Sequence, residues 1–79
     1  MKEKLYDILS RVLEIDRRNI DDRMSPDNTP SWDSFNAIML IVELEKAAGS
    51  RFKTSDLMAV KNVGDIKSLL NRHNIEYEC

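Results

Sequence analysis

Leu5, Ile8, Leu9, Val12 and Leu13 stand at i, i+3, i+4, i+7 and i+8, a spacing that only a helix gathers onto one face. The row Ala37, Leu40, Ile41, Leu44, Ala48 and the row Val63, Ile66, Leu69, Leu70 repeat that spacing further along. No segment alternates apolar and polar residues as a half-buried strand would. Three apolar stripes in a chain of 79 residues have only one another to pack against. One domain spanning 1–79 is therefore expected, an all-α, small four-helix bundle. It has three longer helices, a short third helix, and a long loop between helices 1 and 2.

That loop runs from Asp16 to Asp33. "DRRNIDDRMSPDNTPSWD" is dense in Asp, Asn, Ser and Pro, which favour turns over regular structure. Ile20, Met24 and Trp32 are expected to pin it to the body. The second helix should start at Asp33 or Ser34, with Asp33 a good N-cap, and run to about Ala48. Gly49 then supplies the left-handed residue that commonly ends a helix. Phe52 should return to the core. "TSDLMAV" reads as the short third helix, capped by Thr54 or Ser55, with Leu57 and Val60 inward. "NVGDIKSLLNRHNI" reads as the fourth, capped by Asn62.

Composition limits the function. The net charge of −2 argues against nucleic acid, which calls for a basic face. No stretch approaches the roughly 20 apolar residues of a membrane span. The start, "MKEKLYDILSRVLE", carries charges throughout, unlike a signal peptide, so a cytoplasmic location is expected. One cysteine, Cys79, cannot form an intrachain disulfide and reads as a frayed terminal thiol. The one histidine, His73, lies at the end of the last helix with no evident partner and reads as a surface residue. One His and one Cys give no metal-ligand spacing, and no nucleophile–base pair is apparent. A non-catalytic monomer is expected.

The second helix is apolar on two sides. Opposite its core row, Phe35, Ile38, Met39 and Val42 form another stripe. Either this stripe packs under the long loop with Trp32 folded over it, or it faces solvent as a contact surface. The two can be combined with Ile38 inward and Phe35, Met39 and Val42 outward. Ser34 stands at the head of the helix beside this stripe. On its own such a serine is most often structural.

The stretch "DSFNAIMLIVELEKAAG" resembles the acyl carrier protein signature, Asp-Ser-Leu followed by an apolar helix ending in Leu-Glu. The resemblance extends over nearly the whole chain. "RFKTSDL" is similar to the family's entry into its short third helix, and "VKNVGDI" to its Thr-Val-Gly-Asp start of the fourth. It implies that Ser34 receives a covalent 4′-phosphopantetheine arm from coenzyme A, through a separate Mg²⁺-dependent phosphopantetheinyl transferase. The arm's thiol would then carry acyl groups as thioesters between acyl-loading and acyl-transferring enzymes of fatty acid, polyketide or related biosynthesis. Asp33 matches the acid that supports modification, and Phe35, Asn36, Met39, Val42 and Glu43 fall on the partner-binding helix. Phe35 replaces the usual Leu, Asn36 and Met39 stand where acids are common, and Lys53-Thr54 replaces an Ile-Pro pattern. With Glu43, Glu45 and Lys46 the helix carries a net of about −1, so partners that need a strongly acidic carrier helix should bind weakly. A dedicated pathway is expected over housekeeping fatty acid synthesis. An aminoacyl or peptidyl carrier is a less fitting alternative, because "TPSWDS" lacks the Gly-Gly that typically precedes the serine there. An unmodified helical adaptor binding through Phe35, Met39 and Val42 is the other.

Overall fold

The computed structural model covers residues 1–79 and is helical throughout its regular structure. Helix α1 spans Leu5–Leu13, α2 Ser34–Ala48, α3 Thr54–Met58 and α4 Val63–Arg72, with one 3-10 turn at Arg17–Asn19. The apolar rows meet in one core. Leu5, Ile8, Leu9 and Leu13 of α1, Leu40, Leu44 and Ala47 of α2, and Val63, Ile66, Leu69 and Leu70 of α4 are all buried. Val12, Ala37 and Ile41 pack at its margin. The inward alanine at the end of α2 is Ala47, whereas the spacing points to Ala48. Ala47 lies closer to the Leu40–Leu44 side of the helix, at i+7 and i+3 from these leucines.

The long loop is anchored as its apolar residues suggest. Ile20, Met24 and Trp32 are buried in the core, and Phe52 joins them from the α2–α3 connection. The loop also completes the start of α4. The first N–H groups of a helix lack intrahelical partners. Here the Val63 N–H donates to the Met24 carbonyl at 2.9 Å and the Gly64 N–H to the Asp22 carbonyl at 3.0 Å. The expected Asn62 cap is present, its Oδ1 accepting from the Asp65 N–H at 2.8 Å. A Cβ on Gly64 would stand 3.2 Å from Asn62 Oδ1 and 3.4 Å from the Asp22 carbonyl oxygen. Glycine therefore lets loop and helix approach this closely. Lys67 of α4 ties the same loop residue from its side chain, with Nζ 2.6 Å from Asp22 Oδ1 and donating to the Tyr6 hydroxyl at 2.9 Å. Asp22, and Tyr6 after it, push the Lys67 ammonium's pKa up.

Helix α3 is the shortest α-helix, at five residues, and has no buried residue, although Leu57 and Val60 pack against the core as expected. Its first turn is not capped by Thr54 or Ser55. Lys53 holds the cap position, and its N–H donates to Asp56 Oδ2 at 3.1 Å. The same carboxylate oxygen lies 3.0 Å from His73 Nε2, with Arg72 3.8 Å from its other oxygen. His73 therefore has a partner, contrary to the sequence expectation. Its ring also meets Phe52 edge-on at 5.1 Å. The histidine links α3 to the end of α4, a contact between residues 17 apart that periodicity cannot show.

The C-terminal segment is also tied down. The Leu5 N–H donates to the Glu78 carbonyl at 2.8 Å, and the Arg17 guanidinium donates to the Cys79 carbonyl. Backbone pairing with the start of α1 thus replaces the frayed end expected around Cys79, whose side chain is exposed.

Candidate functional site at the head of helix α2

The chain enters α2 through Trp32, Asp33 and Ser34. Trp32, 5% exposed, sinks its ring into the core and fixes the loop just before the helix. Asp33 takes the N-cap in extended conformation, and its Oδ1 accepts from the Asn36 N–H at 2.8 Å. Its own carbonyl accepts from the Ala37 N–H, also at 2.8 Å. The Asn36 side chain turns back, Nδ2 donating to the Ser31 carbonyl at 2.8 Å. The junction is therefore held from the core, from the cap and from the loop.

Ser34 is exposed, at the first helical position. Because Asp33 makes the cap, the serine hydroxyl is not needed for it. The N–H groups of Ser34 and Phe35 have no partner within the chain, since the bonds of the first turn begin with Asn36 and Ala37. An anion on Ser34 Oγ would meet two free donors and the positive end of a 15-residue helix dipole. The residues present thus fit a phosphodiester at this hydroxyl.

From Ser34 an apolar face runs along the outside of α2. Phe35 is 69% exposed, Ile38 65% and Val42 36%, at i, i+3 and i+7. This decides between the two sequence readings of the second stripe. Trp32 is in the core, and Ile38 points outward, which corrects the inward placement that would have combined them. Met39 is half-buried beside the stripe. Met58, at the end of α3, is exposed as well and gives no periodic signal.

The acids of α2 are turned to internal partners. Glu43 has an 18% exposed side chain, and its Oε1 lies 2.7 Å from Arg11 Nη1 of α1. Lys46 approaches its other oxygen at 3.4 Å. The hydrogen bond from Arg11 holds the Glu43 carboxyl below the usual carboxylate range, with Lys46 adding to the effect. Glu45 Oε2 accepts from the Phe52 N–H at 2.8 Å. Of the residues that sequence places on this helix as partner-binding, the structure brings Phe35 and Val42 onto one exposed face. Met39 lies at its edge, Asn36 braces the junction, and Glu43 points toward α1. The cross-helix engagement of Glu43 is not visible in the sequence, because Arg11 lies 32 residues away.

No family model matches the sequence, and no curated protein sequence matches it. A solved structure does. A candidate acyl carrier protein from Mycobacterium tuberculosis superposes with a TM-score of 0.77 at 25% sequence identity, over 87% of this chain and 92% of that one. The chain has the fold of an acyl carrier protein. No group of three or more His, Cys, Asp and Glu side chains is arranged to hold a metal ion. No helix is long and apolar enough to cross a membrane.

Proposed function

We propose that this protein is a carrier whose Ser34 Oγ bears a 4′-phosphopantetheine arm, on which acyl groups travel as thioesters between enzymes of a dedicated biosynthetic pathway. The observation that carries the reading is the exposed serine hydroxyl at the head of α2, spared from the cap by Asp33 and flanked by two unpartnered N–H groups. A phosphodiester formed there is stabilised by the helix terminus, and the arm is free to extend into solvent. The chain itself performs no catalysis. Ser34 Oγ attacks the coenzyme A phosphorus that bears the pantetheine, its proton passes to a base of the Mg²⁺-dependent transferase, and the diphosphate P–O bond breaks with adenosine 3′,5′-bisphosphate as leaving group; Asp33 stands one residue away to assist. The exposed face of Phe35, Ile38 and Val42 begins next to Ser34 and serves as the docking surface for the transferase and for acyl-handling enzymes.

Intact-mass measurement tests this directly. The purified chain, incubated with coenzyme A, Mg²⁺ and a broad-specificity phosphopantetheinyl transferase, gains a single phosphopantetheine, and Ser34→Ala gains none. Absence of any addition with several transferases would favour an unmodified binding module using the same apolar face.

A further inference from the structure

The apolar face of α2 is bordered by two glutamates, and neither carboxylate is offered freely to a visitor. Glu45, on one flank, accepts from the Phe52 N–H. Glu43, on the other, is drawn against α1 by Arg11 and approached by Lys46. Arg11 is itself bridged at 2.9 Å by Glu3, so Glu3, Arg11, Glu43 and Lys46 form a cluster whose charges cancel. A basic docking surface approaching Phe35, Ile38 and Val42 would find on the α1 side a compensated cluster and an arginine that repels it. An apolar surface of low charge would lose nothing there.

Resting on the carrier reading above, we propose that Arg11 determines partner specificity: by engaging Glu43 it masks the acid bordering the Phe35–Ile38–Val42 face, which then selects partner enzymes with an apolar, weakly charged docking surface over those with a basic one. Charge complementarity is the argument, since steering by opposite charge acts on encounter and on discrimination between partners. The device is separable from folding. Arg11 is half-exposed, and a pair of this kind contributes little to stability. Replacing Arg11 therefore changes the field of the face and leaves the bundle intact.

The test uses modification of Ser34 as the measure of docking. Two phosphopantetheinyl transferases are compared, one with a basic and one with an uncharged docking surface, and kcat/KM for the carrier is measured at low and high salt. The carriers are wild type, Arg11→Gln, Arg11→Gln/Glu43→Gln, and Arg18→Gln as a control that makes the same charge change in the loop. With the basic transferase, Arg11→Gln should raise kcat/KM about three- to tenfold at low salt, and the gain should vanish near 1 M salt, where charges are screened within about 3 Å. The double variant should return to the wild-type value, and Arg18→Gln should leave it within about twofold. With the uncharged transferase all four carriers should react alike. A gain that persists in the double variant would show that Glu43 is not the acid Arg11 masks, and one that Arg18→Gln reproduces would show an effect of net charge alone; either overturns the proposal. Failure of both transferases to modify wild-type Ser34 would instead remove the carrier reading, and this inference with it. Circular dichroism of each variant establishes that it is folded.

Discussion

Asp33 caps α2, and on the carrier reading proposed above it has a second role that one pair of substitutions separates from the first. Its carboxylate caps α2 through a 2.8 Å bond from the Asn36 N–H, and its place before Ser34 suits it to assist modification. Asp33→Ala removes the cap, which typically costs about 1 kcal/mol. In a domain of this size such a loss lowers the melting temperature by about 4–8 °C. Asp33→Asn retains an oxygen able to accept the same bond and ranks with Asp as a cap, so it forfeits only the charge–dipole contribution, about 0.3–1 kcal/mol at an exposed site. Thermal unfolding followed by circular dichroism should therefore place the Asn variant between wild type and the Ala variant, which loses both the hydrogen bond and the charge. Amide exchange should show the Asn36 N–H losing protection in Asp33→Ala only. Modification of Ser34 behaves differently: both variants lack the carboxylate, and both should be modified about tenfold or more slowly if it assists the metal-bound reaction. Equal melting temperatures for Asp33→Ala and Asp33→Asn, both well below wild type, would refute the cap argument. Normal modification of Asp33→Asn would confine this residue to a structural role.

Three further outcomes follow from particular contacts. Gly49 ends α2 at φ +66° with open space where a Cβ would stand, so Gly49→Ala should cost about 1 kcal/mol through backbone conformation alone, while Gly49→Asn should cost less; melting temperatures check both. His73→Ala removes the link from α4 to Asp56 and should raise amide exchange at Ala59 and Val60 while leaving the α1 and α4 amides protected. The Lys53 N–H, then His73, hold the Asp56 carboxyl below its ordinary value, so its contribution is full above the usual carboxylate range and is lost as pH falls through the lowered value. Asp56→Asn should accordingly flatten the acid limb of a melting-temperature profile, and an unchanged limb would show that the contact is not maintained in solution.

The three long helices are legible because their apolar rows have a period that a helix alone satisfies, and the caps at Asp33, Asn62 and Gly49 because their chemistry is local. The end of α1 shows the limit of such signals. Glu14 adopts φ 54°, a left-handed conformation that its residue type does not advertise. Helix α3 can be placed from its sequence, but its cap cannot: Thr54 and Ser55 offer the hydroxyl that usually caps. The carboxylate of Asp56 instead reaches back to the Lys53 N–H, aided by a histidine from another helix. At the candidate site, the place of Ser34 at the head of α2 and the second apolar stripe beside it can be read from spacing. The orientation of Ile38 and the engagement of Glu43 by Arg11 cannot, since each depends on which neighbour the fold brings alongside.

The position of the site follows from how the loop is held along its length. Near its middle, Asp22 and Met24 lend their carbonyls to the first N–H groups of α4, and Lys67 grips Asp22 again through its side chain. At its end Trp32 enters the core and Asn36 bonds back to Ser31. A loop fixed in this way cannot fold over the outer side of α2, which leaves Phe35, Ile38 and Val42 uncovered at a cost in exposed apolar area that the fold itself does not require. The same anchoring keeps the first turn from fraying, so Ser34 holds one position relative to that face. On the carrier reading proposed above, an enzyme gripping the face would find the hydroxyl at a constant distance, and the same geometry would serve a transferase that loads an arm there and each enzyme that uses it afterwards. On this reasoning Trp32→Ala should impair modification through loss of register between face and hydroxyl, even under conditions where the helices persist. Core truncation of this kind costs about 3–5 kcal/mol. The measurement is therefore best made at low temperature, with circular dichroism confirming helix content and kcat/KM for Ser34 modification as the readout. Wild-type kinetics in a folded Trp32→Ala variant would show that the loop anchor does not position the hydroxyl.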